Sequence, residues 1–198
     1  MGAPVLIPGR APSIRSALCD RQPFLKESVT MDPNKILHGR RLLIVDDEPD
    51  VLQTLIEMLD MCKIDTAQTF EEGKRLLETG DYECAVLDIM GVRGFELLEI
   101  AKGREIPALM LTAHALTKES LKESAQRGAA YFAPKDRMQD IALFLADVLD
   151  AKERNRNPWV KWYDRLSGYY DSRFVGEDWR EKEREFWEKK LKEYPGGL

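Results

Sequence analysis

Leu42-Leu43-Ile44-Val45-Asp46-Asp47 is the stretch that opens the fold to reading. Four apolar residues without polar alternation describe a strand covered on both faces, and an acidic pair ends it. Cys84-Ala85-Val86-Leu87-Asp88 and Ala108-Leu109-Met110-Leu111-Thr112 repeat the pattern, each an apolar run closed by a polar residue. Ile64 to Ala67 and Tyr131 to Ala133 are weaker strand candidates. Helical stripes lie between and after them. They are Leu52, Leu55, Ile56 and Leu59, a segment opened by the capping box Thr69 and Glu72, Phe95 to Ile100, Leu121 to Ala125, and Ile141, Phe144, Leu145 and Val148. Five strands alternating with five helices imply right-handed crossovers. The expected fold class is therefore α/β, a doubly wound five-stranded parallel sheet with helices on both faces. In such sheets the reactive groups lie just beyond the carboxyl ends of the strands.

The chain of 198 residues has room for one full domain and a smaller piece. With 43% hydrophobic and 33% charged residues it has a globular balance, which excludes disordered and fibrous classes. A net charge of −5 gives no general attraction to nucleic acid or anionic lipid. No apolar stretch reaches the roughly 20 residues of a membrane span, and the run Ala3 to Ile7 is too short and too broken by proline for a signal peptide. The cytoplasm is the expected compartment. Cys19, Cys62 and Cys84 lack metal-ligand spacing, and Cys84 reads as a buried, reduced thiol. Residues 1–39, interrupted by Pro4, Pro8, Pro12, Pro23 and Pro33, read as a mostly irregular arm.

Four strand ends carry distinctive chemistry: Asp46-Asp47, Asp88, Thr112-Ala113 and Pro134-Lys135. Three carboxylates gathered at one sheet edge repel one another and are costly to desolvate, so a cation is expected among them. Oxygen-only ligands favour a hard ion, and Mg²⁺ keeps waters and accepts phosphate oxygens. With it, Asp88 is a candidate carboxylate nucleophile towards a phosphoryl donor. Lys135 would neutralise charge on the transferring group, and the Thr112 hydroxyl would donate to one of its oxygens.

The blocks LLIVDDEPDVLQTL, AVLDIM, GFELL, LMLTAHA and GAAYFAPKD, in that order across residues 40–152, resemble the receiver domain of two-component response regulators. That resemblance implies the flavodoxin-like receiver fold and an Asp88 phosphoacceptor. It also implies Mg²⁺ held by Asp46, Asp47, Asp88 and the Met90 carbonyl, phosphoryl contacts from Thr112 and Lys135, and a switching role for Phe132. A sensor histidine kinase or phosphotransfer protein would be the donor. The chain would assist only its own phosphorylation and dephosphorylation. Two departures stand out. Two residues, including the usual proline, are missing between Asp88 and Gly94, and Lys135 is followed by Asp136 where proline is frequent.

Residues 153–198 form a short α-helical extension opened by a charged linker. Asn157 and Pro158 mark a helix start, and Trp159, Trp162, Tyr163, Leu166 and Tyr170 fall on one face. Asp178 and Glu181 form a second capping box ahead of Trp179, Phe186, Trp187, Leu191 and Tyr194. This aromatic surface either folds back on the chain's own receiver or anchors a partner, including a second copy in a homodimer or larger assembly. Trp159, Trp162, Tyr163, Trp179, Phe186 and Trp187 are the candidate anchors. The core pattern ends before the extension, so the receiver is expected to fold without it. The favoured function is a phosphorylation-dependent signalling switch acting on a downstream protein. A phosphorylation-independent adaptor is the alternative. A DNA-binding regulator ranks third, because basic and acidic residues are interleaved in the extension and leave no face suited to phosphates.

Overall fold

Strands form where the sequence runs apolar, and all five pair in parallel. β1 (Arg41–Val45), β2 (Lys63–Ala67), β3 (Cys84–Asp88), β4 (Ala108–Thr112) and β5 (Tyr131–Pro134) lie in the order β2-β1-β3-β4-β5. The computed structural model describes residues 32–113, 117–174 and 179–193, without the side chains of residues 179 and 180. Val45 is level with Leu87, Leu87 with Met110, and Thr112 with Pro134, so the residues that follow these runs reach one edge of the sheet together. The order reverses at β1 and β3, which opens a crevice beyond their carboxyl ends.

The helices are α1 (Pro33–Leu37), α2 (Pro49–Met58), α3 (Phe70–Thr79), α4 (Gly94–Gly103), α5 (Lys118–Arg127), α6 (Ile141–Glu153), α7 (Pro158–Arg173), α8 (Trp179–Lys182) and α9 (Arg184–Lys192). Thr69 caps α3 by accepting the Glu72 amide at 3.2 Å, the contact expected of a capping box. A 3₁₀ turn, Lys135–Asp140, joins β5 to α6. The short helix α1 lies within the arm read as mostly irregular, and its fully buried Leu37 contributes to the core where α1 packs on α6. Among the described residues no helix is long and apolar enough to cross a membrane.

The two edge strands differ. β2 is half-exposed, as an edge should be, whereas every residue of β5 is buried. The C-terminal helices account for this difference. Asn157 caps α7 by accepting the Trp159 amide at 2.9 Å. The α7 indoles then donate to the main chain of the β5 region, Trp159 Nε1 to the Ala129 carbonyl at 2.9 Å and Trp162 Nε1 to the Phe132 carbonyl at 2.7 Å. Trp187 of α9 stacks on Trp162, with ring centroids 5.3 Å apart and planes 8° from parallel. Arg165 pairs with the buried Asp147 of α6, and Lys122 of α5 pairs with Glu183. The buried Trp159, Trp162, Tyr163 and Trp187 are thus spent on the chain itself rather than displayed to a partner. Phe186 is half-buried, while the Trp179 side chain and Tyr194 lie outside the described residues. Where one helix was expected, α8 and α9 are separate pieces broken at Glu183.

Candidate functional site

The sheet register brings Asp46, Asp88, Thr112 and Lys135 to the crevice, the first three buried. Lys135 Nζ sits among three carboxylates: 2.8 Å from Asp46 Oδ2, 2.7 Å from Glu48 Oε1 and 3.0 Å from Asp88 Oδ1. Burial works against its charge, but these bonds outweigh burial and raise the ammonium's pKa above its ordinary value. The other Asp88 oxygen, Oδ2, accepts the backbone amides of Met90 at 2.8 Å and Gly91 at 3.0 Å. Both oxygens of Asp88 are therefore held in fixed directions by groups that tolerate negative charge.

Asp46 is in a harder position. Its Oδ1 accepts the Glu48 amide at 3.1 Å, but Oδ2 takes no well-directed hydrogen bond despite its closeness to Lys135. Burial is the main cause of its raised carboxyl pKa, and Lys135 offsets only part of it. Asp47 is exposed and lies against Gly91, where a Cβ would come within 1.9 Å of the Asp47 carboxylate. Three carboxylates thus share one ammonium, and the excess negative charge, together with a buried Asp46 oxygen that takes no well-directed hydrogen bond, suits a hard divalent cation. As the side chains stand, among the described residues no group of three or more His, Cys, Asp or Glu side chains converges to hold a metal ion. Lys135 is the cation they share.

The family model described as the response regulator receiver domain matches residues 42–144, just over half of the chain. The chain belongs to the response regulator receiver family. A two-component response regulator of Arabidopsis thaliana, ARR11, is 32% identical over 122 residues, 58% of this chain and 23% of its own length. The transcriptional regulatory protein TcrA of Mycobacterium tuberculosis is 32% identical over 89 residues, 42% of this chain and 35% of its own. The chain spans well under half the length of these relatives. The crystal structure of a CheY-like receiver domain protein from Methanospirillum hungatei superposes with a TM-score of 0.55 at 28% identity, covering 59% of this chain and 98% of that one. That receiver is matched almost whole.

The loop after Asp88 closes by two local devices. Arg93 adopts a left-handed φ of 55°, and Gly94 starts α4 directly against the Asp88 backbone. A Cβ on Gly94 would meet the Asp88 carbonyl oxygen at 2.0 Å, so glycine is required there. Met90 keeps its amide on Asp88 and leaves its side chain 66% exposed. Phe132 is fully buried, with its ring centroid 6.1 Å from that of Tyr170 on α7. Two participants escaped sequence reading. Glu48 occupies the cap position of α2 without capping it, and its carboxylate is committed to Lys135 instead. A glutamate where Ser, Thr, Asp or Asn is preferred was the available signal. The other is Asp136, whose carboxylate accepts Tyr169 Oη of α7 at 2.7 Å.

Proposed function

We propose that this chain is a phosphorylation switch whose phosphoacceptor is Asp88. The observation that carries the reading is the Asp88 carboxylate, fixed on one oxygen by two backbone amides and on the other by Lys135. In the transfer step an Asp88 oxygen attacks phosphorus, the new O–P bond forms, and the donor's bond to phosphorus breaks with its electron pair leaving on the donor. For acetyl phosphate the leaving group is acetate; for a phosphohistidine donor it is the imidazole. Lys135 and the Thr112 hydroxyl would neutralise the equatorial oxygens, and the Met90 and Gly91 amides orient the nucleophile.

Mg²⁺ would be held by Asp46, Asp47 and Asp88, with the Met90 carbonyl as a further oxygen donor, and it would supply charge neutralisation to the phosphoryl oxygens. Glu48 keeps Lys135 within reach meanwhile. The donor we infer is a sensor histidine kinase or phosphotransfer protein, acting in the cytoplasm, and the output a contact with another protein. Incubation of the full chain with acetyl phosphate and Mg²⁺ is expected to add the mass of one phosphoryl group, abolished in Asp88→Asn. An unmodified wild-type mass would favour an adaptor that works without phosphorylation.

A further inference from the structure

Lys135 and Asp136 are consecutive residues of the turn after β5, and their side chains serve different masters. The first ties the turn to Asp88, Asp46 and Glu48. The second ties it to α7, accepting Tyr169 Oη at 2.8 and 2.7 Å and Arg173 at 2.7 Å. Burial, together with the bond to Asp136, pushes the Tyr169 hydroxyl up to about 12, so it remains a donor at neutral pH. Three residues before Lys135, the Phe132 carbonyl accepts the Trp162 indole, so α7 grips the chain on both sides of the lysine.

We propose that Asp136, held by Tyr169 and Arg173, is a positioning residue for Lys135, through which docking of α7 opposes phosphorylation of Asp88. The inference rests on the reading of Asp88 as phosphoacceptor. A phosphoryl group there adds negative charge beside the ammonium, which then follows the new oxygens and loosens its hold on Glu48. The grip of α7 is complementary to the turn as it stands with Lys135 on three carboxylates. It therefore stabilises the unphosphorylated arrangement, and by linkage phosphorylation must weaken the grip by the same factor. The latch residues are half-exposed, so removing them costs the fold little.

The test compares wild type, Asp136→Ala and the double variant Tyr169→Phe with Arg173→Ala, all as full chains. Initial labelling by acetyl phosphate with Mg²⁺ is followed by intact mass, and amide hydrogen exchange of residues 158–173 is measured before and after labelling. Both variants are expected to label about five-fold faster than wild type, because the apparent rate scales with the fraction of molecules in which α7 has released the turn. Labelling is expected to speed α7 exchange about five-fold in wild type and to have a smaller effect in the variants. A purely structural latch would leave the labelling rate unchanged. Wild type that labels normally while its α7 exchange stays constant, with variants labelling at the wild-type rate, would overturn the coupling alone. Absence of labelling in wild type would overturn the phosphoacceptor reading and the coupling with it.

Discussion

Asp46 has no good hydrogen-bond donor for one buried oxygen, and burial raises its carboxyl pKa. A group whose folded pKa lies above its unfolded value contributes stability while protonated and loses it as pH rises through the folded value. At neutral pH ionised Asp46 therefore burdens the fold, and Asp46→Asn should melt higher than wild type in Mg²⁺-free buffer, with the gap narrowing towards pH 4. Mg²⁺ at 100 times its dissociation constant should stabilise wild type by ~2.7 kcal/mol, roughly 5–10 °C in Tm at this chain length, and leave Asp46→Asn unmoved. Equal Mg²⁺ responses would remove Asp46 from the metal site. Met90 bears on how long the signal lasts. Its amide is on the Asp88 carboxylate, and its exposed thioether offers an attacking water no useful hydrogen bond. Met90→Asn should shorten the acyl-phosphate lifetime about tenfold, equivalent to ~1.4 kcal/mol of barrier. Decay of labelled protein after donor removal measures it, and equal rates would show that water is positioned by another route. His114, which the same reasoning singles out for orienting that water, lies outside the described residues.

β5 is the element whose environment departs most from sequence expectation. Tyr131 to Ala133 marked a strand, but a three-residue apolar run cannot show that a sheet edge will be covered by helices some 30 residues later. The expectation that the receiver stands without its extension suffers for the same reason. Trp162 is fully buried, and its truncation to alanine alone should cost about 3–5 kcal/mol. Deleting residues 158–198 uncovers Phe132 and is expected to lower Tm markedly and to expose apolar surface to a hydrophobic dye. An unchanged transition would show that the helices cover the receiver without holding it. The aromatic spacing of α7 was legible, because the 3.6-residue period shows in its sixteen residues. The five residues of α1 are too few for such a period.

Across the whole molecule, legibility followed topology. Asp46, Asp88, Thr112 and Lys135 each close or follow an apolar run, and a parallel sheet necessarily delivers such residues to one edge. Glu48 and Asp136 sit one or two positions further on, where a charged side chain reads as solvated turn, and only tertiary contacts reveal their commitments. The result is a receiver whose acidic crevice and C-terminal helices meet at a two-residue hinge of side chains, Lys135 and Asp136. Everything in that arrangement depends on a phosphoryl group arriving at Asp88 rather than at a neighbouring carboxylate. Borohydride reduction of the acetyl-phosphate-labelled protein converts an aspartyl phosphate to homoserine, which peptide mass spectrometry can locate. Homoserine at residue 88 alone is the expected result; homoserine at residue 46 or 47, or none at any position, would contradict it.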